Sequence, residues 1–589
     1  MTLHIRGTST GPIVLGPDSK HLTSIASTGV VSATGMGVDA IDGPPGTAWP
    51  IDNDGTIIST GGLGISLASG GIVSNGSGAR ISGGIAGILI DGAGGAVANA
   101  GSITGTAAGG TIINLTRISG DGAALLAGGS VTNAASGAIS GLGARGASDG
   151  SGSGVFITGG SGSAANAGRI NAVAYGVALD GGGGVTNTGS IIGGEDGVKI
   201  AGAIGSVANT GNISATVDDG VALFAGGVVT NAAGASISSG PGFEPGPSAA
   251  GVFVLNGSGT VANSGKIVGT KSGALLAAGG SVTNRSGAFI SGATAGISFT
   301  GESGTLANAG SISASGSGGA GADLEAGGRV SNAAGGSISG SQFGVFITGG
   351  SGTVANAGTL SGGTYAAKFS GGGTNTLVIE PGAVFVGAVG GSTAPGASNT
   401  LEFAGGSSGT SGVGTGQFFN FQTLAVDAGS TVTLNGPNTI PTVLDNGTVE
   451  IAGSLDVTTA IDPQSAGIFR LDSGSRLDVA AAVGTNTTMS FISPSELAID
   501  DVGAFGSHVG DPLAYAGPLL AEFGAGDVID LRNFGFAGVT LNPLTPNGVL
   551  QVANGSQTAD LAFQSASLGA GQFHASSDGG TGTLITVHA

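Results

Sequence analysis

The stretch GVFITGGSGTVANAGTL, residues 344–360, has a near-copy in GVFITGGSGSAANAGRI, residues 154–170. Weaker copies recur through more than half of the 589-residue chain. At its centre is an Asn in the pattern apolar-x-Asn-x-Gly-x-apolar. Such Asn residues stand at 53, 75, 99, 133, 166, 187, 209, 231, 263, 284, 308, 332 and 356, at intervals of 21–24 residues with three of 32–34. A recurring period of this size marks a stacked repeat. Within each unit apolar residues alternate with small or polar ones, as in Val252-Phe253-Val254 and Val261-Ala262-Asn263. That is the period of a strand, and no window sustains a helical one. Glycine pairs such as Gly279-Gly280 and Gly349-Gly350 interrupt the strands. Three short strands and three turns fit into about 22 residues. One such circuit cannot bury its own apolar face, but stacked circuits can. The expected fold is all-β: a parallel β-helix (β-solenoid) with coils of 21–24 residues. Right-handed winding is expected, because the strict hexapeptide repeat of the left-handed type is absent.

An inward Asn amide in each coil satisfies an unpaired turn group and bonds the amide of the next coil, forming a ladder with about 4.8 Å per step. The simpler account is that Asn is a good turn residue. Thirteen occurrences in one register favour the ladder. The Asn motifs take two forms. A short form occurs at 53, 99, 166, 209, 263, 308 and 356, and a form two residues longer at 75, 133, 231, 284 and 332; Asn187 is a short form in a long-form slot. Two extra residues leave the facing of every later side chain unchanged, whereas one would invert it. The repeat is thus a pair of coils.

Composition narrows the function. There are 126 glycines but no Gly-X-Y period, and 40% hydrophobic residues argue against a disordered linker. Only 8% of residues are charged, which suits slim coils, and cysteine is absent. The net charge of −20 disfavours nucleic acid and anionic membrane surfaces, and no apolar run is long enough to span a membrane as a helix. Residues 1–50 read as an N-terminal cap without a conventional secretory signal, with Trp49 as a lid on the first coil. Residues 51–375 read as the regular β-helix. Residues 376–500 read as an irregular continuation, and 501–589 as a C-terminal β-rich cap and secretion-signal region. Extra residues at 106–116, 141–150 and 240–249 read as projecting loops, where binding is expected.

The repeats GVTNTGSIIGGEDGVKI (184–200) and VANAGTLSGG (354–363) resemble those of bacterial autotransporter passengers and related β-strand-repeat surface proteins. Neither the signal nor the C-terminal barrel of the classical members is expected from these residues. EFGAGDVIDLRNF (522–534) is similar to a segment that follows calcium-binding repeats in proteins exported by type I secretion. These resemblances imply an extracellular or cell-surface location. The implied function is a structural or adhesive one, attaching to extracellular glycans, a host surface or matrix components. The alternative is a polysaccharide-degrading or carbohydrate-binding β-helix.

A lyase or hydrolase site needs two or three carboxylates converging across neighbouring coils. Asp91, Asp121, Asp149, Asp180, Asp196, Asp218, Asp219 and Asp323 show no matching positions on adjacent coils, so they are expected to be singly solvated and the chain is not expected to be an enzyme. The five histidines lie in the caps without a zinc pattern. Calcium is the one cofactor considered. Among the paired acids Asp52/Asp54, Asp218/Asp219, Asp500/Asp501 and Asp527/Asp530, the last pair is the candidate, on the strength of the export-segment resemblance. Phe156, Phe253 and Phe346 occupy the middle of a Gly-apolar-x-apolar strand, and alternation points them outward as candidate binding residues unless loops cover them. Phe346 has no insertion before it and is the better probe.

Overall fold

The computed structural model describes residues 3–16, 22–106, 111–113, 116–143, 151–242, 249–414, 416–564 and 572–588. Its regular elements are strands. The chain divides into two compact units, Met1–Ala326 with Ser337–Gln342 and Gly327–Gly336 with Phe343–Ala589. Parallel β-solenoid coils build both.

In the first unit each regular coil supplies three strands, for example Gly71–Asn75, Arg80–Gly83 and Ala86–Ile90. We call the faces they build A, B and C. Each strand pairs in parallel, without slip, with its equivalent one coil on: Gly71–Asn75 with Gly95–Asn99, Arg80–Gly83 with Ser102–Gly105, and Ala86–Ile90 with Asp121–Leu125. Face B stacks isoleucine on isoleucine inside the coil. Ile57, Ile81, Ile103, Ile139, Ile170, Ile191, Ile213 and Ile237 are all within 1% of full burial. The β-branched side chain suits the pleated surface, and each such burial contributes about 1.5–3 kcal/mol.

At the end of every face A strand, the Asn amides form one file. The Nδ2 of Asn133 donates to Asn166 Oδ1 at 2.7 Å, Asn166 to Asn187 at 2.7 Å, and Asn187 to Asn209 at 2.8 Å. The same links run from Asn53 to Asn133 and from Asn209 to Asn308. Most of these Nδ2 groups also reach a carbonyl of their own turn and one on the next coil's face B strand, as Asn187 does with Gly189 O (3.2 Å) and Asn212 O (3.1 Å).

The two Asn forms differ first in the turn. In the short form the amide closes on the carbonyl two residues on, and in the long form four on, as in Asn133 to Gly137 (3.2 Å). The long turn places Gly287 at φ +75°, and an added Cβ there would meet nothing within 4 Å, so glycine is needed for its backbone angle alone. In the short turn the reason is proximity. A Cβ on Gly168 would lie 2.2 Å from Gly137 O of the coil below. The outward neighbour of the Asn alternates in step, Thr132, Ala165, Thr186, Ala208, Thr230, Ala262 and Thr283 in register. Asn187 keeps the Thr of a long-form coil.

Residues 3–50 contribute coils that stack in the same register, with Leu3–Ile5 on Thr23–Ile25 and these on Ile51–Asn53. Trp49 is therefore no lid. It is 3% exposed, its Nε1 donates to Pro44 O at 3.1 Å, and its ring lies where a Cβ on Gly43 would fall. Of the extra segments, 107–110, 114–115, 144–150 and 243–248 lie outside the described residues. Thr111–Ile113 and Thr116–Ile118 pair antiparallel.

In the second unit Asn332 donates to Asn356 Oδ1 at 2.8 Å in the same way. The next residues in register are Ile379, Phe403 and Val426, and the amides move to the opposite end of the strand, where Asn375 donates to Asn399 at 2.9 Å. The coils thus continue after the Asn period ends. Thr431–Asn435, Thr448–Ile451, Ile468–Leu471 and Thr488–Phe491 pair in parallel. Antiparallel pairs, Val549–Ala553 with Thr558–Phe563 and Gln572–Ser577 with Thr583–His588, close the last coils, so the stack does not end on an open parallel edge.

Asn187→Ala would leave the buried Asn209 Oδ1 without the Asn187 Nδ2 donor, take from Asn166 Nδ2 its amide acceptor, and remove a donor from Gly189 O and Asn212 O. It is expected to cost about 3 kcal/mol of unfolding free energy in denaturant titration, against under about 0.5 kcal/mol for the outward Thr186→Ala. Equal costs would show that the ladder adds nothing.

Candidate functional site

The three expected aromatic positions behave differently. Phe156 is 1% and Phe253 7% exposed, which corrects the expectation that they project. Alternation does aim them away from the coil interior, but the outer side of face C carries a second apolar layer. Phe156 packs there with Leu89, Ile118, Leu126 and Tyr175. Phe253 packs with Leu275, and the Phe224 ring meets it edge-on at 6.0 Å. Neither presents a ring to solvent.

Phe346 belongs to an aromatic strip in the second unit. It stacks on Phe343 with centroids 4.4 Å apart, Phe343 stacks on Tyr365 at 5.7 Å, and Tyr365 meets Phe419 at 6.2 Å. All four rings are half-buried. Strand register explains the assembly, since Phe343 pairs with Tyr365, Phe346 with Lys368, Lys368 with Gly390, and Gly390 with Phe419. The Lys368 ammonium lies 5.6 Å from the Tyr365 centroid and 5.7 Å from that of Phe419. Among these residues only Phe346 was legible beforehand, because Phe343, Tyr365 and Phe419 fall outside the recurring strand motif.

Asp527 and Asp530 have separate surroundings. Asp527 is fully buried and accepts from Ser493 Oγ (2.6 Å), Gly524 N (2.9 Å), Ser495 N (3.0 Å) and Ser495 Oγ (3.1 Å). Asp530 faces Arg532 at 3.5 Å. Protein donors thus occupy the first acid and a cation neighbours the second.

The acids that do converge lie elsewhere. Asp196, Asp218 and Asp219 bring one oxygen each within 4.8 Å of one another. Asp196 and Asp219 occupy the same position on neighbouring coils, just before the face C strand, which corrects the expectation of unmatched, solvated charges. Asp121 holds that position too, and all three are buried. Their role is visible in their partners. Asp121 Oδ1 accepts from Ser153 N at 2.8 Å, Asp196 Oδ1 from Asp219 N at 3.0 Å, and Asp219 Oδ1 from Ala250 N at 2.7 Å. Each carboxyl caps an amide of the next coil. Burial, then the neighbouring acids, push the Asp196 and Asp219 carboxyls far above the usual range. Lys199 sits between the acids and the outer layer, 3.5 Å from Asp180 and 4.7 Å from the Tyr175 ring centroid.

No protein-family model matches the chain, and no curated protein matches it. What the geometry defines is a class of architecture, the parallel β-solenoid with an internal asparagine ladder.

Several buried acids share one pH consequence. Burial raises Asp445 to about 7, and Asp323 to about 6 with help from Glu325. Their folded-state values exceed the unfolded one, so the folded chain holds more protons between about pH 4 and 7 and its stability falls as pH rises through that window. Thermal unfolding from pH 4 to 9 is expected to show a falling Tm up to about pH 7, and Asp445→Asn should remove part of the slope. A Tm that rises across the same range would contradict the assignment.

Proposed function

We propose that this chain is a structural and adhesive β-solenoid working outside a bacterial cell, attaching it to glycan-containing matrix or surfaces. The observation that carries the reading is the division of labour in the coil. Inward positions are committed to aliphatic stacking and amide ladders, while recognition is left to side chains on the outer faces. A scaffold of this kind presents long, regular surfaces and requires no catalytic centre. The strip of Phe343, Phe346, Tyr365 and Phe419 is the outer feature best suited to recognition. The resemblance of the repeats to autotransporter passengers agrees with this reading, although fold alone does not define a task.

A second reading, cleavage of polysaccharide, is favoured by the acids from neighbouring coils at Asp196, Asp218 and Asp219. A buried acid held protonated near neutral pH is the form a general acid needs. Against it, Asp196 and Asp219 are 6% and 2% exposed and accept from backbone amides, which leaves them poorly placed to reach a glycosidic oxygen.

One pair of assays separates the readings. Surface labelling and fractionation of producing cells should find the chain outside. The purified full chain, coated on a surface, should retain matrix polysaccharide without releasing new reducing ends. Reducing-end release that disappears in Asp218→Asn would establish the enzyme, and a chain confined to the cytoplasm would refute the adhesive role.

A further inference from the structure

We infer that Lys368 and the aromatic strip around it form a binding site for a carboxylate-bearing saccharide of the oligouronide class. The inference rests on the glycan-binding reading above and gives it a place and a ligand chemistry.

The decisive feature is a cation without a counter-charge. The half-buried Lys368 donates to Gly391 O at 3.0 Å and faces two aromatic rings, but among the described residues no carboxylate comes within 4 Å of its Nζ. Burial alone lowers its pKa, with no acid opposing the shift. Four other half-buried cations are paired, Lys199 with Asp180, Arg470 with Glu450, Arg476 with Glu496, and Arg532 with Asp478 and Asp500, whereas Arg80, Arg169, Lys266, Arg285 and Arg329 are exposed to water. Partial desolvation of a charge is costly unless a partner offsets it. In a chain of net charge −20 an unpaired, partly desolvated ammonium stands apart.

The surroundings are shaped to keep it there. A Cβ on Gly390 would lie 2.9 Å from Phe419 Cζ and 3.1 Å from Lys368 Cδ, so glycine leaves room for both side chains over that strand. The column Phe346, Lys368, Gly390, Phe419 spans three coil steps, about 14 Å. Aromatic rings offer their surfaces to the C–H groups of a pyranose, and the ammonium offers donors and charge to its carboxylate. A polynucleotide needs many cations, and one does not serve. Membrane insertion needs freely exposed apolar side chains, whereas these rings are half-buried.

The test is isothermal titration of the full chain at about 0.15 M salt, where the Debye length of about 8 Å screens the overall negative charge. The probes are trigalacturonate and the neutral maltotriose. Trigalacturonate is expected to bind at least about tenfold more tightly, Lys368→Gln to lose about tenfold, and Lys368→Arg to retain most of the affinity. Phe346→Ala, which leaves the ammonium in place, should also weaken binding and serves if Lys368→Gln fails to fold. Equal affinity for both sugars, no binding of trigalacturonate, or unchanged affinity in folded Lys368→Gln would overturn the inference. So would Lys368-dependent self-association in sedimentation, which would assign the missing carboxylate to a second copy. Adhesion that persists without trigalacturonate binding would sink this site and leave the adhesive reading standing. Trigalacturonate binding by a chain found only in the cytoplasm would do the reverse.

Discussion

The structure depends on one constraint: a coil cannot satisfy its backbone alone, and at the turns it relies on the neighbouring coil and on an inward amide. Within a circuit of 21–24 residues the strands find their hydrogen-bond partners above and below, and turn amides reach the coil beneath, as Ala134 N does to Asn99 O at 2.7 Å, but the carbonyls inside the turn gain a further donor only from a side chain, as Gly189 O does from Asn187 Nδ2 at 3.2 Å. The asparagine file answers this with an amide that accepts on one side and donates on the other. Because every Nδ2 points toward the next coil, the amides align head to tail and polarise one another. The ladder also sets the spacing at which isoleucine lies on isoleucine, so polar and apolar stacking reinforce each other. Turn length then matters little, since the same amide closes a turn on the carbonyl two or four residues away.

The buried acids are a second answer to the same constraint. Asp121, Asp196, Asp219 and Asp527 each accept backbone amides, and Asp445 accepts from Gly447 N at 2.9 Å much as a ladder Asn does in its own turn. An ionised carboxylate lacks the donor that an amide passes on and gains one only on protonation. It also carries a charge that burial opposes, which is why these groups are pushed toward the protonated form. The convergence of Asp196 with Asp219 follows from two consecutive coils using the same cap. Acid clustering in a solenoid is thus explained by architecture before catalysis is invoked.

Outside the coils the two units use their freedom differently. In the first, the outer side of face C is covered by apolar packing around Phe156 and Phe253. In the second, outer positions carry an aromatic strip and a separate network in which Arg532 meets Asp478 at 2.8 Å and Asp500 at 3.1 Å. Exposed pairs of this kind contribute little stability each. They mark surfaces whose side chains are not dictated by stacking.

How much was legible in the sequence follows from this division. The parallel β-solenoid, the single file of Asn133, Asn166, Asn187 and Asn209, and the paired-coil repeat were all readable, because stacking forces equivalent residues to recur at a fixed interval. The burial of Phe156 and Phe253 was not, since alternation tells only which way a side chain leaves the strand and not what later segments lay over it. Nor were the Asp196–Asp219 convergence and the meeting of Phe343, Tyr365, Lys368 and Phe419, whose members lie up to 76 residues apart. By itself the sequence determined the periodic interior, where each coil repeats the demands of the last. The outer surface was decided only by the tertiary structure, because its contacts depend on which non-repeating residues the register brings side by side.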